Sequence, residues 1–166
     1  MRHIGLALGI LTLALAATVP THDAFAKSYN ADGVSTVTAD KSVVYKLGAD
    51  HTVVLSNDEQ TVATKKKSSP LNKASGSCFG MMEMKAGVTS GSGFCSMIDA
   101  KGKSVLLSWT ATASDDKGVP SGEWKVAGGE GRWSTAQGSG TWHGEDVTKD
   151  GKTTHMNNLT GEITMK

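Results

Sequence analysis

The residues of this chain best suited to chemistry are its tryptophans and the carboxylates between them. Trp109, Trp124, Trp133 and Trp142 all fall in the C-terminal half. Aromatic rings around a concave apolar pocket are how small hydrophobic ligands are held. Rings of this kind also serve as plain core, and that use is the ordinary one for most of the four. Glu123, Glu145 and Glu162 lie in the same stretch. A glutamate enclosed among apolar groups has a raised pKa and can act as general acid or base. An outward, solvated glutamate is the commoner outcome. The candidate ligand-binding set is therefore Trp109, Glu123, Trp124, Trp133 and Trp142, and no residue is assigned a catalytic role.

Other chemistries find less support. His51, His143 and His155 are spread along the chain, and no serine stands in a nucleophile-elbow context. A hydrolase of Ser-His-Asp type is not expected. Met81, Met82 and Met84 form a tight cluster, and thioethers are soft ligands that suit Cu(I). In an extended strand, however, Met81 points away from Met82 and Met84, and methionine is common core filler. No metal and no cofactor is expected. Asn158-Leu159-Thr160 matches a glycosylation sequon, a pattern that arises easily by chance.

The elements that must position these residues read as strands. Short β-branched and aromatic runs recur between Gly, Asp, Asn and Ser, and helical periodicity is absent beyond the N-terminal stretch. Ser42 to Leu47 alternates, with Val43, Tyr45 and Leu47 on one face. His51 to Ser56 and Gln60 to Thr64 read as two further strands, before a loop from Lys65 to about Lys73. Lys103 to Ala113, Gly122 to Ala127, Arg132 to Gln137, Gly138 to Glu145 and Leu159 to Met165 follow. Lys149-Asp150-Gly151-Lys152 is a strong hairpin turn. Eight or more short antiparallel strands close most simply into a barrel, which removes exposed edges. A two-sheet β-sandwich is the alternative for this all-β chain.

One hairpin carries more information than the rest. Ser77 to Met84 and Thr89 to Ile98 flank Ala86-Gly87. With that pair at the tip, Lys85 faces Val88 and Cys78 falls opposite Cys95, at a non-hydrogen-bonded site where strands approach closely. Phe79 then faces Phe94 on the other side. Two cysteines in an exported chain read as a disulfide, and their spacing is not that of a zinc site. Closing a loop of this size stabilises by about 3 kcal/mol on the chain-entropy model.

The most specific segment is Val126-Ala127-Gly128-Gly129-Glu130-Gly131-Arg132-Trp133-Ser134-Thr135-Ala136-Gln137-Gly138. It resembles the Gly-Gly-x-Gly-[Lys/Arg]-aromatic turn of dirigent proteins and allene oxide cyclase-like barrels. Gly138 to Trp142 and Gly161 to Thr164 add to the resemblance, which runs from about Ser77 onward. It implies a barrel of about eight strands with a tapered, partly apolar cavity, and association into homo-oligomers. The plant members steer reactive intermediates through such a cavity. Physically the motif needs no ligand: Gly131 allows positive φ and Trp133 caps the interior. No helix follows it, so it is not a phosphate cradle.

Composition sets the outer limits. Met1-Arg2-His3, the apolar run from Ile4 to Val19 and Ala24-Phe25-Ala26 have the form of a cleaved export signal over residues 1–26. The apolar run is short for a bilayer span. Residues 27–166 then form one domain, periplasmic or secreted, with no membrane span in the mature form. Lys and Arg number 17 against 16 Asp and Glu, so no electrostatic case exists for nucleic acid. Three functional readings remain: binding of a small apolar or amphipathic molecule, an enzyme of cyclase or dirigent type, and a structural or interaction protein of the cell envelope.

Overall fold

The computed structural model describes residues 26–116 and 118–166, and among them every regular element except one 3-10 turn is a strand. The expected export signal lies, but for Ala26, outside the described residues. In chain order the strands are β1 (Lys27–Asn30), β2 (Gly33–Asp40), β3 (Val43–Lys46), β4 (His51–Thr64) and β5 (Ser75–Lys85). They continue with β6 (Val88–Ile98), β7 (Ser104–Ser114), β8 (Pro120–Gly129), β9 (Gln137–Lys149) and β10 (Lys152–Met165). Strands β2, β4, β5, β6, β7, β8, β9 and β10 pair in that order, all antiparallel, and β10 returns to β2. The result is a closed eight-stranded barrel, without the free edges of a sandwich. Strands β1 and β2 divide β10 between them: β1 takes its last residues and β2 its middle.

The hairpin of β5 and β6 has the expected register. Lys85 faces Val88, Cys78 faces Cys95 and Phe79 faces Phe94. The cysteines are joined, with Cα atoms 3.9 Å apart. Ala86 and Gly87 both take positive φ, 49° and 78°, as a tight turn matched to the strand twist requires. Asp150 and Gly151 do the same between β9 and β10.

Two expectations are corrected. His51–Ser56 and Gln60–Thr64 are not two strands but one, because the alternation passes unbroken through Asn57, Asp58 and Glu59. Arg132–Gln137 is not a strand: Gly131 to Trp133 form a 3-10 turn, with Gly131 at φ 57°. The face shared by Val43 and Tyr45 is the outside of the barrel. Val43 pairs with Leu55, whose strand neighbour Ser56 points inward, and exposed Met81 and Phe79 continue this outer apolar face across β5.

The two ends of the barrel differ. At one end Trp133, Leu71, Val105 and Ile163 are fully buried and plug the interior, with Ala31, Ala74, Met97 and Met165 packed against them. The other end carries the turns after β5 and β9 and the β7–β8 connection, and it stays open.

Candidate functional site

The open half of the barrel holds a cavity of about 120 Å³. That is comparable with the roughly 150 Å³ of an apolar protein cavity that takes up benzene. One wall is apolar and comes from β5 to β8: Met82, the Cys78–Cys95 disulfide, Leu107, Trp109 and Trp124, with Trp142 of β9 beside them. The other wall is polar and comes from β2, β4 and β10: Ser35, Ser56, Asp58, Gln60, His155 and Asn157.

Cross-strand register explains why the interior is not filled. A single row crosses six strands as Gly80, Gly93, Trp109, Trp124, Gly140 and Gly161. The Trp109 indole lies over its glycine neighbours. A Cβ on Gly93 would stand 2.5 Å from the Trp109 ring, and one on Gly80 equally close. Trp124 leans the other way, over Gly161, and its Nε1–H donates to the Thr160 carbonyl at 3.0 Å. The two rings therefore lie along the wall in opposite directions and leave the axis open. Trp142 meets Trp109 edge to face, with centroids 6.3 Å apart. Its Nε1–H donates to the Thr110 carbonyl at 3.1 Å. Trp124 and Trp142 thus each have a partner for the indole N–H, as enclosed tryptophans require.

Of the residues singled out in the sequence, the structure brings Trp109, Trp124 and Trp142 together around the cavity. It does not bring Glu123 or Trp133 to them. Glu123 is exposed on the outer face, paired with Thr110 and Thr141, because strand alternation sends it away from inward Trp124. Trp133 belongs to the closed end. Its Nε1–H donates to Asp99 at 2.9 Å, and the Arg132 Nη2 donates to the same oxygen at 2.7 Å. The other Asp99 oxygen accepts the Lys101 and Lys103 backbone N–H groups. Burial alone would raise this carboxyl, but these donors hold it down, to about 2. The Gly-Gly-Glu-Gly-Arg-Trp segment thus locks the 3-10 turn to the β6–β7 connection through Asp99 and does not line the open-end cavity. Met82 faces the cavity while Met81 is exposed outside, so the methionines form no common site. Among the described residues no group of three or more His, Cys, Asp or Glu is placed to hold a metal ion.

Sequence reasoning missed the carboxylate that does face the cavity, Asp58. It is buried on β4, and the Gln60 Nε2–H donates to it at 2.6 Å. Ser35 in turn donates its hydroxyl to the Gln60 carbonyl oxygen. Burial pushes the Asp58 carboxyl above its ordinary value. The Gln60 bond opposes this, Asp40 adds to the rise, and Ser56 and His155 oppose it. Asp40 is Asp58's direct cross-strand neighbour on β2. At the rim His155 is held by Asp146, Nδ1 to Oδ1 at 2.8 Å. The sequence signal for Asp58 was the alternation of Ser56, Asp58, Gln60 and Val62 on one face.

A closed antiparallel eight-stranded barrel, plugged at one end and open at the other, defines the class of fold. Its likeness among solved structures is to dirigent proteins. The pterocarpan synthase dirigent protein GePTS1 superposes with a TM-score of 0.51 at 15% identity, covering 85% of this chain and 86% of that one. PsPTS1, a second pterocarpan synthase dirigent protein, gives 0.49 at 14% identity over 84% of this chain and 95% of its own. At these identities the likeness is one of fold: the chain has a dirigent-type barrel, as its Gly-Gly-x-Gly-Arg-Trp turn implied. No protein-family model matches the chain. No curated protein matches it either.

Proposed function

We propose that the barrel is an exported binding protein for a small amphipathic molecule, with the apolar body against Trp109, Trp124, Trp142 and Met82 and the polar end toward Asp58 and Asn157. The observation that carries this reading is the two-sided cavity. An interior meant only as core would be filled and apolar, since a buried carboxylate without a cationic partner costs stability. Here the tryptophans lie flat and a polar wall faces them. Export is supported by the form of the first 26 residues and by the disulfide, a bond kept in oxidising compartments. Among the described residues no helix is long and apolar enough to cross a membrane.

A second reading is favoured by one specific feature. A carboxyl with a raised pKa, enclosed beside an apolar surface, is equipped to act as general acid toward a bound intermediate. Asp58 has that setting, and the barrel has the fold of proteins described as pterocarpan synthases.

Native mass spectrometry of the protein purified from its own source tests the binding reading. The expected result is an organic mass that leaves on activation, and that is lost or exchanged when Trp109 is replaced by Ala. A bare chain, two hydrogens lighter than the reduced form, would instead favour a barrel that serves only as structure.

A further inference from the structure

The charges around the cavity narrow the kind of molecule it takes. Among the described residues that line it there is no Lys and no Arg. The ionisable groups there are Asp58 and His155. His155 is engaged by Asp146 at the rim, and the next carboxylate along the polar wall, Asp40, stands directly across from Asp58. Asp40 accepts a backbone N–H from Ser42. Asp58 receives its one close bond from a neutral amide, Gln60, while the Ser56 hydroxyl approaches only to 3.4 Å. No Lys or Arg contacts either carboxylate, and His155, which acts on both, is itself engaged by Asp146, so the balance of charge on the polar wall is negative. Opposite it stand the indoles of Trp109, Trp124 and Trp142, whose π-faces attract cations and repel anions. Both walls therefore favour the same sign of ligand charge. An anionic ligand would meet buried Asp58, with exposed Asp40 beside it, and His155, already engaged by Asp146, as the one lining group able to carry positive charge.

We propose that the ligand is an organic cation: an amine whose ammonium group docks on Asp58 and whose ring-sized apolar body lies against the tryptophan wall. This rests on the reading of the cavity as a binding site and names the chemical class of its occupant. An ammonium supplies what the site lacks. It donates to the free lone pairs of Asp58, and it neutralises the charge that burial makes costly. Gln60, fixed by Ser35, holds the carboxylate in place for it.

The test uses three probes with one body and different heads: 2-phenylethylamine, 2-phenylethanol and phenylacetate. Each is titrated calorimetrically into the disulfide-intact protein at pH 7.5. The amine is expected to bind at least tenfold more tightly than the alcohol, and phenylacetate most weakly of the three. Asp58→Asn should abolish the preference for the amine over the alcohol. The ratio measured on the unaltered protein stands whether or not the variant folds. If alcohol and amine bind alike, or phenylacetate binds best, the cation assignment is overturned while the binding site stands. If none of the three binds, the binding reading itself falls, and the assignment with it.

Discussion

The two enclosed carboxylates among the described residues, Asp99 and Asp58, sit at opposite ends of the barrel and are treated in opposite ways. At the closed end Asp99 accepts bonds from two backbone amides, an indole and a guanidinium, and its pKa falls. At the open end Asp58 has one amide donor at close range and a carboxylate across from it, and its pKa rises. The tryptophans follow the same division. Trp133 is wholly buried and tied to Asp99, while Trp109 and Trp142 are half-exposed and lie along the wall. One end is completed by the chain's own groups; the other is left incomplete. Local violation of packing and pairing rules within a sound frame is the usual mark of a site that meets something else.

The comparison breaks first on the tryptophans. Trp133→Ala is expected to cost about 3–5 kcal/mol, since it empties a fully packed position and removes one of the donors to the Asp99 carboxylate. Trp142→Ala should cost about 1–2 kcal/mol, chiefly the edge contact to Trp109 and one hydrogen bond to the Thr110 carbonyl. Urea unfolding of both variants checks the ratio. Equal losses would mean that the open end is core like the other.

Asp99→Asn comes next, at about 3 kcal/mol near neutral pH, because it removes the charge that Arg132 and the two amides are arranged around. Its pH dependence has a defined sign. The folded pKa lies below the unfolded value of 3.8, so the carboxylate's contribution is present above that value and is lost as pH falls toward about 2. The displacement corresponds to at most about 2 kcal/mol. The gap between variant and parent should therefore narrow by about that much between pH 4 and pH 2, read by urea midpoints. A gap of constant size across this range would show that Asp99 acts by shape alone.

How legible each end was in the sequence follows from the same physics. The β5–β6 hairpin could be read because one register satisfies two separate pairings, Cys78 with Cys95 and Phe79 with Phe94. Inward Trp124 and outward Glu123 followed once the strand was known, though which face was the interior did not. Residues 27–40 gave no clear strand because their inward positions include small and polar residues, such as Gly33 and buried Ser35, so hydrophobic alternation is weak. Asp58 was lost for a related reason. Asn57-Asp58-Glu59 has the composition of a turn, and only the pairing of β4 with both β2 and β5 holds it extended. Arg132 to Gln137 misled the other way: Trp133 and Thr135 have strand propensity, but the Asp99 bonds and the positive φ of Gly131 fix a tight turn. Polar residues that serve the cavity are the ones whose local pattern argues least for their actual structure.

The smallest effect is the sharpest test of the open end, because its sign is the reverse of the usual one. A carboxyl whose folded pKa is raised makes the protein most stable below its unfolded value of 3.8, and stability is lost as pH rises through the folded value. Asp58→Asn keeps the shape and the Gln60 neighbour but removes the charge. It should therefore melt a few degrees above the parent at pH 7, and the gain should vanish by pH 3, where both side chains are neutral. Saturation of the parent with a ligand that neutralises Asp58 should erase the same gain at pH 7, by binding to the folded state alone. A variant that melts below the parent at pH 7 would show that Asp58 is a structural carboxylate like Asp99, and the contrast between the two ends would be lost.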